Sequence, residues 1–127
     1  MEKAANHYGP FRIAECLLVV YSLEDGTLMT GLFHESEIEL DEWAYASGPH
    51  ADIKGGLAAV QDDDLVHIFF NHDQKVWQST VNVKLGSWVV DKIPLDIPNG
   101  TPVSDCGFTI RQNGSLWYTW KVPTLHD

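Results

Sequence analysis

The 127-residue chain has few cysteines, few positive charges and no long apolar run. Its N-terminus shows no apolar stretch of signal-peptide length and no cleavage-site pattern, and no segment approaches the length of a membrane span. The two cysteines, Cys16 and Cys106, lie far apart and in no metal-ligand spacing. We expect both to be reduced and buried, with a disulfide between them as the alternative, and we expect a cytoplasmic protein.

Positive charge is scarce, with 8 Lys and Arg residues against 18 Asp and Glu residues and a formal net charge of −10. A protein that binds DNA or RNA needs a basic surface to displace phosphate counterions, and an anionic membrane surface selects for the same sign. The composition therefore disfavours nucleic acid and membranes as partners. The chain length is that of a single domain, residues 1–127.

Signatures of metal sites and of common enzymes are also missing. The six histidines show no zinc-ligand spacing, and Asp62, Asp63 and Asp64 lack the regular spacing of a calcium loop. The chain has no nucleophile elbow, phosphate-binding loop or dinucleotide fingerprint. We therefore expect neither a metal nor a cofactor.

What the chain does contain is one short phrase three times, LLVVYSLEDGTLM, LVHIFFNHDQKVW and CGFTIRQNGSLWY. Superposing the three copies aligns Asp25 with Asp73, 48 residues later, and Asp73 with Asn113, 40 residues later. Self-similarity at such a period is typical of an array of supersecondary units. The copies define repeats of about 11–45, 57–91 and 101–121.

Each phrase has the pattern of a β-hairpin, because β-branched and aromatic residues alternate on both sides of a turn such as Asp25-Gly26. A further strand is expected before each hairpin, at FRIAE, GLAAVQ and TPVSD, and another after the first two hairpins. Four antiparallel strands per unit predict an all-β fold of β-propeller blades. The alternative is a single β-barrel or sandwich. Three blades cannot close a ring, so we expect a homodimer.

The phrase DLVHIFFNHDQKVWQSTV, with GLAAVQ before it and GSW after it, resembles the blades of fungal fucose-specific lectins. The pattern extends over about residues 11–121. The resemblance implies a sugar site between blades, held by an Arg on the second strand and a Glu on the third. Here the Arg position falls on Val19, His67 and Gly107, and the Glu position on Thr30, Gln78 and Tyr118. No copy keeps the pair, so binding of fucose by that chemistry is not expected.

The middle copy alone retains two polar groups at those positions, His67 and Gln78. Trp77 and Trp117 follow the turns of their copies and have the character of stacking platforms, or else of packed core rings. We predict a lectin-like module that holds a carbohydrate or another small polar or aromatic ligand. The candidate ligand-binding residues are His67, Trp77, Gln78, Trp117 and Arg111.

An enzyme is the alternative function. Glu15, His67, Asp105 and Tyr118 have the side chains for general acid–base chemistry if they face one cavity. An aromatic-lined pocket in a lectin-like propeller would suit a cyclase or a Diels–Alder-type catalyst of a fungal natural-product pathway. A protein-interaction module that uses open blade edges is a third hypothesis.

Overall fold

The computed structural model describes residues 4–13, 16–34, 40–44, 50–82 and 87–122. This part of the chain contains strands, turns and two 3₁₀ turns but no α-helix. No helix in the described ranges is long and apolar enough to cross a membrane. The ten strands are β1 (Ala4–Ile13), β2 (Cys16–Leu23), β3 (Leu28–His34), β4 (Leu40–Ala44), β5 (Leu57–Asp62), β6 (Leu65–His72), β7 (Lys75–Asn82), β8 (Ser87–Pro94), β9 (Cys106–Ile110) and β10 (Leu116–Trp120).

The strands form three antiparallel sheets in chain order. Sheet 1 contains β1 to β4, sheet 2 contains β5 to β8, and β9 pairs with β10 in a two-stranded terminal hairpin. The expectation of an all-β, antiparallel fold is confirmed. Within the described ranges no sheet closes on itself, so the alternative of a single β-barrel is wrong.

The turns follow from the residues that the repeated phrase shares. Asp25 Oδ1 accepts hydrogen bonds from Thr27 N (2.9 Å) and Thr27 Oγ1 (2.7 Å), and Gly26 adopts a φ of 92°. Asn113 and Ser115 repeat this arrangement in the terminal hairpin. The middle turn differs, because Asp73 and Gln74 both have positive φ, which is the two-residue type I′ geometry.

Sheet 1 packs face to face against sheet 2. Side chains one residue apart on a strand point to opposite faces, so alternate residues of β6 turn towards sheet 1. These include Ile68 and Phe70, both fully buried. Ile68 lies in one core cluster with Val20 of β2, and Phe70 lies in another with Leu28 of β3. The junction is therefore an apolar layer between two sheets.

The terminal hairpin covers the other face of sheet 2. The ring of Phe69 on β6 stacks on that of Phe108 on β9, with the centroids 3.8 Å apart and the planes at 5°. Buried Val76 and Val103 belong to the same cluster, and Tyr118 packs against it. Sheet 1, sheet 2 and the hairpin thus form three layers, in which β1 lies beside β5, and β5 lies beside β9.

Two short 3₁₀ turns, Ile53–Gly55 and Val103–Asp105, precede β5 and β9 respectively. The expectation that TPVSD forms an inner strand is therefore wrong, because Val103–Asp105 is this turn. The reason is a contact with a residue distant in sequence: the side chain of Asn71 accepts a hydrogen bond from Val103 N (2.8 Å) and donates one to Thr101 O (2.9 Å). As a consequence β9 occupies the place in the hairpin layer that β5 occupies in sheet 2.

Candidate functional site

His67 and Gln78 lie on neighbouring strands and contact each other. Both project from the face of sheet 2 that carries Phe69. His67 lies two residues before Phe69 on β6, and Gln78 is the residue of β7 that pairs with Phe69. Gln78 Nε2 lies 3.1 Å from His67 Nδ1, and Thr80 Oγ1 lies 3.0 Å from the same nitrogen. An amide nitrogen can only donate, so Nδ1 accepts and the proton of the neutral ring resides on Nε2.

The environment of His67 favours its neutral form. Burial lowers the pKa of His67 because a charged imidazolium loses hydration there, and the negative charge of Asp62 opposes this only in part. The ring is therefore suited to donate a hydrogen bond from Nε2 rather than to act as an acid. Thr80 was not anticipated, although its position two residues after Gln78 places it on the same face as Gln78.

Trp77 lies on the opposite face of sheet 2 from His67 and Gln78. Its ring packs beside the cluster that contains Leu28 and Phe70, and its Nε1 donates to His72 O (2.8 Å). The ammonium group of Lys92 lies 4.5 Å from the ring centroid. Trp77 is thus a half-buried ring at the junction with sheet 1, and it shares no pocket wall with His67.

Trp117 and Arg111 form a second group on the outer face of the terminal hairpin. The Arg111 guanidinium carbon lies 4.2 Å from the centroid of the Trp117 ring, which is a cation–π stack. Trp117 is 55% exposed, and its Nε1 donates to Ser115 Oγ (3.1 Å), which holds the indole in one orientation. No carboxylate of the described residues pairs with Arg111.

Two shallow grooves adjoin this stack. One, of about 340 Å³, runs along the outer face of the hairpin past Gly107, Thr109 and Thr119 to Trp117. The other, of about 580 Å³, lies at the turn and is lined by Arg111, Gln112, Asn113 and Trp117. An aromatic ring and a guanidinium group beside open grooves can stack on a planar or ring-shaped ligand and donate hydrogen bonds to its oxygens.

The residues considered for acid–base chemistry are engaged separately. Asp105 lies 3.8 Å from Lys121 in an exposed ion pair, and the phenolic oxygen of Tyr118 accepts a hydrogen bond from Asp96 N (3.2 Å). His67 contacts Thr80 and Gln78 as described above, and Glu15 lies outside the described residues. Among those that are described, no contact joins two members of the predicted catalytic set.

The predicted ligand-binding residues therefore fall into three places: His67 with Gln78 on one face of sheet 2, Trp77 on the other, and Trp117 with Arg111 on the hairpin. Among the described residues no group of three or more His, Cys, Asp or Glu side chains is arranged to hold a metal ion. Comparisons with protein-family models, with curated proteins and with solved structures found no match for this chain.

Proposed function

We propose that the chain is a lectin-like binding module in which the three layers are successive blades of a β-propeller. The stacking of the layers and the adjacent positions of β1, β5 and β9 support this arrangement, since the first strands of propeller blades surround a central axis. The terminal hairpin would supply the first two strands of its blade.

We further propose that Trp117 and Arg111 bind the ligand, a carbohydrate or another small ring-shaped polar molecule. The observation that carries this proposal is the exposed, oriented indole with a guanidinium group stacked on it. An exposed tryptophan contributes little to the core, whereas its face stacks well on the apolar face of a sugar ring. Arg111 adds hydrogen-bond donors for hydroxyl or carboxylate oxygens.

His67 and Gln78 are weaker candidates for ligand contact, because each satisfies the other. The Nδ1 atom of His67 already has two partners, Gln78 and Thr80. This triad lies on the face of sheet 2 that the hairpin packs against. Its hydrogen bonds connect β6 and β7 on that face, and no described observation favours catalysis there.

The experiment is a titration of monosaccharides, including uronic acids, followed by intrinsic tryptophan fluorescence and by thermal shift. We expect millimolar or tighter binding and a loss of about five- to tenfold in affinity for Trp117→Ala, since a stacking interaction is worth about 1–1.4 kcal/mol. Arg111→Gln should weaken uronic acids more than neutral sugars, because it removes the positive charge.

Val89→Ala is the matched control, because Val89 is an exposed strand residue on β8 (51%) that lines neither groove. It should bind as the wild type does. Absence of binding by every sugar at millimolar concentration would overturn the lectin-like function. Binding that survives Trp117→Ala unchanged would show that the ligand site is elsewhere.

A further inference from the structure

The three layers leave two outer surfaces at the ends of the stack. Sheet 2 is covered on both faces, by sheet 1 and by the terminal hairpin. The outer face of the hairpin is open, since Gly107, Thr109, Trp117 and Thr119 are all exposed. A sheet face of this kind, next to an apolar groove, is where a further layer would pack in the same way that the existing layers do.

The two end layers carry opposite charge. Residues 105–122, which contain the hairpin, include Arg111, Lys121 and one carboxylate, Asp105, which lies 3.8 Å from Lys121. The described residues of sheet 1 and its turn include four Asp and Glu residues, namely Glu24, Asp25, Asp41 and Glu42, and one basic residue, Arg12. Contacts between two hairpins or between two copies of sheet 1 would bring like charges together. Contact of a hairpin with sheet 1 of another copy is attractive.

The ends of the layers also align. Asp25 O, in the turn between β2 and β3, accepts a hydrogen bond from His50 Nδ1 (3.0 Å), and His72 Nδ1 at the end of β6 donates to His50 O (2.6 Å). The second 3₁₀ turn lies at this same end of sheet 2, because its Val103 N donates to Asn71 Oδ1 near the end of β6. Lys121 N in turn donates to Asp105 O of that turn. A second copy stacked in the same orientation therefore places its exposed Glu24 level with Lys121.

From these three observations we infer that the outer face of the terminal hairpin docks on sheet 1 of a second copy of this chain. In the propeller arrangement proposed above, on which this step rests, the layers surround an axis, so two copies related by a twofold along that axis make this contact twice and close as a dimer. Stable interfaces bury on the order of 800 Å² per partner, and here that area is divided between two equivalent junctions. The same hairpin face carries Trp117 and Arg111, so in this dimer the ligand site proposed above lies at the junction between the two copies.

The test is sedimentation velocity of the full chain without ligand, from low-micromolar to tens-of-micromolar concentration, at low and at high salt. The wild type should sediment as a dimer that dissociates more readily at high salt, because screening weakens the attraction between the layers. Lys121→Glu and Glu24→Lys should each weaken association about three- to tenfold, as expected for the reversal of an exposed charge, and the double variant should restore it.

Lys54→Glu is the matched control, since Lys54 is exposed in the first 3₁₀ turn, away from both end faces, and the change in charge is the same. It should leave the dissociation constant unchanged. Thr109→Arg places a long side chain on the middle of the hairpin face and should give a monomer at every concentration. Circular dichroism spectra verify that each variant is folded.

A wild-type monomer at the highest concentration would overturn the inference. So would equal weakening by Lys121→Glu and Lys54→Glu, which would indicate a general effect of net charge, or a dimer that survives Thr109→Arg. The sugar titration has a separate readout, so the failure of either experiment leaves the other proposal standing.

Discussion

Asn71 connects three parts of the fold and offers the sharpest test of how the terminal hairpin is held. The side chain is only 7% exposed. Its Nδ2 donates to Thr101 O (2.9 Å) and, more weakly, to Lys75 O (3.4 Å), while its Oδ1 accepts from Val103 N (2.8 Å). These bonds link the end of β6 to the turn that starts β9. We predict that Asn71→Ala loosens the junction between sheet 2 and the hairpin.

The magnitude follows from the groups left without a partner. Val103 is 1% exposed, so its N–H loses its acceptor where water does not reach, which costs about 1–3 kcal/mol. The loss of the contact with half-buried Thr101 adds about 1 kcal/mol. We therefore expect the free energy of unfolding to fall by about 3 kcal/mol and the melting temperature by about 10 °C.

Gly55 supplies an independent check. A Cβ atom added there would clash with the Oδ1 and Cγ atoms of Asn71, so Gly55→Ala must push the Asn71 side chain out of place. The single variant should lose about as much stability as Asn71→Ala. In the double variant Gly55→Ala should add less, because Oδ1 and Cγ of residue 71 are gone and only its Cβ, 2.9 Å away, remains to be displaced; the coupling energy should be about 1–2 kcal/mol.

Urea denaturation monitored by tryptophan fluorescence measures all four corners of this cycle. Asn99→Ala, an exposed asparagine in the same connection, serves as the control and should change stability by less than about 0.5 kcal/mol. A loss below about 1 kcal/mol for Asn71→Ala would show that its hydrogen bonds add little to stability. Additive effects of Gly55→Ala and Asn71→Ala would refute the steric explanation.

Three further predictions concern the junction between sheet 2 and the hairpin. Because burial lowers the folded-state pKa of His67, the unfolded chain binds a proton first as the pH falls below about 6.5, so His67 should reduce stability there. His67→Gln should therefore weaken the decline in urea midpoint between about pH 7.5 and about pH 5 relative to wild type. An identical slope for the two proteins would contradict this. Burial, reinforced by the charge of Asp105, raises the pKa of the Cys106 thiol. In a Cys16→Ser variant, in which Cys106 is the remaining thiol, reaction with Ellman's reagent at neutral pH should therefore be slow until urea unfolds the chain, and fast labelling of the native protein would count against this. Phe108→Ala removes the ring stacked on Phe69 and should lower the free energy of unfolding in urea by about 3 kcal/mol. Thr109→Ala on the exposed face should lower it by less than about 0.5 kcal/mol. Equal losses would show that the stack does not stabilise the fold.

The strands and turns were largely predictable because their signals are local. Alternating side chains mark β2, β3, β6 and β7, and the turn residues that follow accept hydrogen bonds from the backbone two residues further on. The all-β, antiparallel class follows from these elements alone. The blade arrangement of a propeller depends on contacts between layers, which local patterns do not specify, and it stays a proposal.

The third unit shows where local pattern fails. TPVSD has the composition of a short strand, but Asn71, about thirty residues earlier, captures Val103 N and Thr101 O and bends the segment into a 3₁₀ turn. A hydrogen bond over that separation leaves no periodic signal. The contact depends on the segments before β5 and β9 lying at the same end of sheet 2, which is a property of the folded chain and not of either segment alone.

The candidate site was predictable only in part, for a related reason. The pairing of His67 with Gln78 depends on the register of β6 and β7, which the short turn at Asp73 and Gln74 determines. That Trp77 faces away from both follows simply from its position next to Gln78 on a strand. The exposure of Trp117 does not, because it depends on which face of the hairpin packs on sheet 2.

The position of β9 changes what the repeated phrase means. In the first two copies the phrase spans the second and third strands of a sheet, whereas in the third it spans β9 and β10, which follow a 3₁₀ turn as β5 and β6 do. Trp117 is therefore the structural counterpart of a residue near the start of β6 and not of Trp77. Trp77 is half-buried at the junction with sheet 1, but Trp117 has no layer of its own chain against it among the described residues. The same shift in register thus leaves an aromatic ring free to bind a ligand and leaves a sheet face free for a second copy.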